Sequence, residues 1–149
     1  MVSSFAGEKV TEAQVSNAID RAIEATGISP RAFQVAAEKL SGHAATFRYV
    51  VQVELDGDHT PDALRRFLAV VEQTLLATNT QYVLNRNIGA LAPSSLHRMV
   101  RGHFDTVLRA RTTKGRNDIQ FKLLALNTEL LVRDHATVLE LILSDDDDA

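Results

Sequence analysis

The chain has 149 residues, a formal net charge of −3 and no cysteine. That length is one domain's worth, enough to bury a continuous apolar core without staples. The missing thiols exclude disulfides, thiol nucleophiles and cysteine-ligated zinc or iron–sulfur sites, and fit a reducing cytoplasm. A slightly acidic chain with no arginine-rich patch and no nucleic-acid motif has no general attraction to phosphate backbones. With no signal-peptide pattern and no membrane-length apolar run, neither nucleic acid nor membrane is an expected partner, and a cytoplasmic location is expected.

Residues Thr11 to Ala25 place Val15, Ala18, Ile19, Ala22 and Ile23 at helical spacing, with Thr11 as N-cap and Gly27 just past the end. "FQVAAEK" and "TFRYVVQVEL" follow as strands. In the second, Phe47, Tyr49, Val51 and Val53 alternate with Arg48, Val50, Gln52 and Glu54, a pattern broken only at Val50. The short "LSGHAA" between them predicts a hairpin. Thr60 and Pro61 read as the N-cap and first position of a second helix, Pro61 to Ala77. Its apolar stripe is Leu64, Phe67, Leu68, Val71 and Leu75, and Arg65, Arg66, Glu72 and Gln73 are expected on the solvent face.

From Asn79 to Pro93 the pattern is mixed, a helical turn or two and then a loop. "SLHRMV" reads as a short strand, "FDTVLRARTTKG" as a helix closed by Gly115, and "DIQFKLLAL" as another strand. "TELLVRDHATVLELIL" permits a last helix, against which Thr137 and Val138 count, and "SDDDDA" is a solvated tail. These elements predict a single α+β domain: an open mixed or antiparallel sheet of about three to five strands with helices packed on it.

Few residues offer chemistry of their own. His43, His59, His97, His103 and His135 are scattered, with no pair at helical metal-ligand spacing. Asp56, Gly57, Asp58 and His59 cluster where a strand-to-helix turn needs Asp and Gly, and two carboxylates fall short of a calcium site. No metal site is expected. Nucleophile-elbow and P-loop patterns are missing. Lys9 in "GEKVTE" and Lys122 in "IQFK" are, on residue type alone, solvated surface lysines.

Four segments, read in order, carry a resemblance. They are "GEKVTEAQV", "NTQYVLNR", "GALAPSSLHRMVRGHF" and "GRNDIQFK". Together they resemble the C-terminal domain of the Gretchen Hagen family, the auxin-responsive acyl-acid amido synthetases. The first is similar to that family's hinge, the second to its Asn-x-x-Tyr segment, the third to its Gly-x-Leu-x-Pro stretch leading to a Gly-x-Phe helix start. The fourth is similar to its Gln-x-Lys motif, although Leu123 and Leu124 stand where Pro-Arg is common.

The resemblance implies a division into residues 1–10 as a hinge-like segment, 11–143 as the domain and 144–149 as an acidic tail. It also implies roles: Lys122 as the catalytic lysine carried into the active site, Gln120 as its support, and Lys9 and Gly7 at the hinge, with Lys9 near phosphate. ATP and Mg2+ are implied, not held by this chain alone. The implied partners are an N-terminal adenylating domain or separate protein, an acyl acid and an amine. On this reading the chain, excised or free-standing, is a ligase lid inactive alone. The alternative is a non-catalytic accessory or small-ligand-binding module that keeps the fold.

Overall fold

A computed structural model describes residues 2–3, 9–40, 47–112, 125–126, 131 and 137–143. Strands β1 (Val2–Ser3) and β2 (Val10–Thr11) pair as a two-residue antiparallel ladder and lead directly into helix α1, Glu12–Thr26. The expected cap is formed: Thr11 Oγ1 accepts from Gln14 N and Gln14 Oε1 accepts from Thr11 N, both at 3.1 Å. Two orphan amides of the first turn are satisfied reciprocally. At the other end Gly27 sits at φ 74°, where a Cβ would be strained, and its N–H returns to Ile23 O at 2.8 Å.

Strands β3 (Ala32–Lys39) and β4 (Phe47–Glu54) pair antiparallel as predicted. Helix α2 (Pro61–Thr78), capped by Thr60, and the short α3 (Thr80–Asn87) then carry the chain across the sheet. Strand β5 (Leu91–Met99) can therefore lie parallel to β4, since a crossover of this length is what parallel pairing requires. Helix α4 spans His103–Thr112, and β6 (Val138–Leu143) pairs antiparallel to β5, giving the order β3-β4-β5-β6. The α+β class and the open mixed sheet are as expected. No described helix is long and apolar enough to cross a membrane.

The core lies between α1, α2 and one sheet face. Val15, Ile19 and Ala22 of α1 meet Leu64, Phe67, Leu68, Val71 and Leu75 of α2 over Val35, Tyr49, Val51 and Leu96. Burying each large side chain contributes about 1.5–3 kcal/mol, which makes the α2 stripe a main source of stability. The opposite face is also covered. Register puts Gln34 beside Gln52 and His97, Ala36 beside Val50 and Ser95, and Glu38 beside Arg48, all of them buried. Burial on both faces explains why Val50 interrupts the alternation.

Two local expectations change. Between Asn79 and Pro93 the expected helical turn or two is present as Thr80–Asn87, but the loop expected to run to Pro93 is short, because β5 already begins at Leu91. Arg48 pairs with Ala92 and Val50 with Ser95, so Pro93 and Ser94 bulge opposite Tyr49. A proline is tolerated at such a bulge, where its missing N–H breaks no ladder bond. Its carbonyl accepts from Arg48 Nε at 2.9 Å.

The expected last helix is overturned at Val138–Leu143, which is strand. Ile142 pairs beside Leu96 and reaches the core, while Leu139, Leu141 and Leu143 remain exposed, an alternation of period two. Leu131, from the same stretch, donates its N–H to Ala37 O at 2.7 Å. Of the "DIQFKLLAL" strand, Ala125 and Leu126 run along β3, with Val35 N donating to Ala125 O at 2.8 Å. Residues 118–124 and Gly115 lie outside the described residues.

Candidate functional site

Two polar clusters contain residues from three of the four segments that the sequence motifs single out. The first begins at Asn79, whose extended backbone (φ −135°, ψ 105°) separates α2 from α3. Asparagine is a favoured N-cap because its short carbonyl reaches the first turn, and here Oδ1 accepts from Tyr82 N at 2.9 Å. The amide end turns the other way. Nδ2 donates to Gln14 Oε1 at 3.1 Å and to the Lys9 carbonyl at 3.3 Å. Gln14, already in the α1 capping box, also donates from Nε2 to Thr78 O at 3.0 Å. Lys9 has φ +51° and an exposed side chain, whereas Val10, the next residue, is completely buried.

One turn further along α3, the Tyr82 hydroxyl donates to the Glu72 carboxylate, 2.8 and 2.7 Å from Oε1 and Oε2. Ser94 N donates to Glu72 Oε1 at 3.0 Å, and Arg86 Nε lies 3.7 Å from the same oxygen. Glu72 is therefore not on the solvent face: it is only 3% exposed. Burial raises its carboxyl above the ordinary carboxylate range, opposed by the Ser94 N–H, the Tyr82 hydroxyl and the Arg86 charge. Tyr82 is pushed well above the usual phenol range, first by burial and then by the Glu72 charge.

A raised native pKa means the folded chain holds a proton that the unfolded chain has lost. Glu72's contribution is fully present below its unfolded pKa and is lost as pH rises through the native one. Denaturant titrations across the carboxylate range should show stability falling with rising pH by this share, and Glu72→Gln should flatten that part of the profile.

The second cluster closes the sheet end. Glu54, 3% exposed, accepts from Phe104 N at 3.2 Å and pairs with Arg31 Nε at 3.3 Å. Asp56 pairs with Arg31 at 3.3 Å and Arg101 at 3.2 Å, so its carboxylate is engaged within the turn. Gly102, at φ 86°, permits the reversal that delivers the buried Phe104 to Glu54. The Asn-x-x-Tyr and Gly-x-Phe motifs are thus joints of the architecture.

The family model of the GH3 family C-terminal domain matches residues 13–129. The chain belongs to this family. Among solved structures it is similar to a GH3.15 acyl acid amido synthetase, at 20% identity and a TM-score of 0.77, over 97% of this chain and 27% of that one. A second, AtGH3.15 acyl acid amido synthetase in complex with 2,4-DB, matches at 19% identity and 0.77, over 97% and 26%. At such identities the likeness is one of fold. The chain spans about a quarter of the length of those synthetases. No curated protein matches.

Within this GH3 C-terminal domain only one of the expected site residues lies among the described residues. Lys9 directly precedes β2, and its carbonyl accepts from Asn79 Nδ2. Gly7, Gln120 and Lys122 lie outside the described residues. Among the described residues no group of three His, Asp or Glu could hold a metal ion. A hollow of about 520 Å³ between α1 and α2 is lined by Arg21, Glu24, Gln73 and Thr78 among others, with no glycine loop to cradle phosphate.

Sequence reasoning had Asn79 only as the first residue of the Asn-x-x-Tyr segment, without its contacts, and missed Gln14 and Glu72. For Glu72 a signal existed: it stands four residues after Leu68 and three before Leu75, on the edge of the buried stripe. A charge there calls for a buried partner.

Proposed function

We propose that this GH3 domain is the C-terminal lid, as domain or subunit, of an ATP-dependent acyl-adenylating, amide-forming ligase. The observation that carries the reading is the family match over residues 13–129, a span that includes Gln120 and Lys122. The coverage of only about a quarter of the acyl acid amido synthetases supports a division of labour, in which a separate adenylating domain holds ATP, Mg2+ and the acyl acid. Lys122 is the residue this chain supplies, Gln120 supports it, and Lys9 with Gly7 forms the hinge.

In adenylation a carboxylate attacks the α-phosphate of the substrate ATP, and pyrophosphate departs. Negative charge gathers at phosphorus, where a fixed ammonium group stabilises the transition state more than the ground state. On this reading the cleft around the lysine is completed by the adenylating domain. Mixed with ATP and carboxylic acids, the chain alone should release no pyrophosphate. Adding an adenylating domain of the same family should give release that grows with the amount of this chain. Release by the isolated chain at a comparable rate would contradict the lid assignment.

A further inference from the structure

Lys9 is the one non-glycine residue with positive φ among the described residues. A lysine there carries a Cβ against its own backbone and persists only where surrounding contacts hold it. The side chain is exposed, so the holding contact is on the backbone: Asn79 Nδ2 donates to the Lys9 carbonyl across 70 positions of sequence. Asn79 is itself immobilised, through Oδ1 on Tyr82 N, Nδ2 on Gln14 Oε1, and its own N–H on Leu75 O.

On the far side of Lys9 the rigid body starts at once. Val10 is fully buried and Thr11 is locked into the α1 capping box. The other described link to residues before Lys9 is the ladder of Val2 and Ser3 on Thr11 and Val10. Two residue pairs make a weak strand pairing.

We propose that Asn79 is the positioning residue of the pivot: its amide clamps Lys9 in the left-handed conformation, and letting go of that carbonyl frees the preceding chain to turn. The functional meaning rests on the lid reading. The clamp would hold one orientation of this domain relative to the adenylating domain, and the turning point would be the Lys9 backbone. A hinge residue need not be glycine when a neighbouring side chain stabilises one of its two conformations.

The test is limited trypsin digestion of the full chain, comparing the cleavage rate after Lys9 with that after Arg21, which lies within α1 and reports opening of the core. Asn79→Asp keeps an oxygen for Tyr82 N but has no donor for Lys9 or for Gln14, and fraying of α1 from the second loss would raise cleavage after Arg21 as well. Asn79→Ser also keeps the cap and is too short to reach. The ratio of the two rates should rise about five- to tenfold in both variants, as expected for losing one hydrogen bond at the exposed site alone. A role confined to capping α3 predicts an unchanged ratio. An unchanged ratio, or an equal rise after Lys9 and Arg21, would overturn the proposal. No second domain takes part, so this result is independent of the pyrophosphate assay that tests the lid.

Discussion

Lys122→Ala is expected to slow acyl adenylation about a hundredfold when the chain works with an adenylating domain, and to leave the chain's own denaturation midpoint where it was. The magnitude comes from where the charge acts. A charge pair at roughly 4 Å is worth about 4 kcal/mol at an effective dielectric near 20, against about 1 kcal/mol in water. The difference, about 3 kcal/mol, is close to two powers of ten in rate. It exists only while a second surface excludes water, so the folding of the isolated chain should not depend on it. Lys122→Arg keeps the charge on a longer, forked head and should recover part of the loss. Pyrophosphate release is the measurement, and equal rates for Lys122→Ala and the unaltered chain would remove this residue from the mechanism.

Glu72→Ala should be the most damaging change to stability, at about 3–5 kcal/mol, because it breaks a buried network by removing its central acceptor. The Tyr82 hydroxyl and Ser94 N both give their protons to that carboxylate, and Arg86 lies beside it. A buried donor whose acceptor is deleted loses the bond without regaining water, and a cavity opens as well. For a chain of this size the loss corresponds to a drop in melting temperature of roughly 10 °C. Tyr82→Phe removes one donor and leaves Ser94 and Arg86 in place, so a smaller loss, about 1–2 kcal/mol, is expected. Thermal or denaturant unfolding of the two variants checks the order. Equal, small effects would mean that the carboxylate contributes little.

Much of the helical architecture was readable from the chain because its signals are local. Thr11 with Gln14, Thr60 with Pro61, and Gly27 each complete a helix end within a few residues. The α2 stripe from Leu64 to Leu75 is set by helical spacing and is buried as expected. The family resemblance was legible in the same way, through four short segments in order, the middle two of which are joints between elements: Asn79 to Arg86 around Glu72, and Gly102 to Phe104 against Glu54. Of the functional residues expected from that resemblance, Lys9 has a place in the geometry.

Strand identity and buried polar partners follow a different logic. "VLELIL" satisfies a helix or a strand on its own, and Val138–Leu143 is a strand because β5 offers Ser95 to Met99 as partners 39 to 48 residues earlier in the chain. Glu72 has the composition of a solvent-facing residue until Tyr82 and Ser94 arrive from α3 and β5. The Lys9 carbonyl meets Asn79 only because α1 and α2 pack side by side. Caps and periodicity are settled by neighbours along the chain, whereas hydrogen-bond partners across the sheet and between helices are settled by what folding brings near. A group's cost or benefit there depends on burial that no single segment carries.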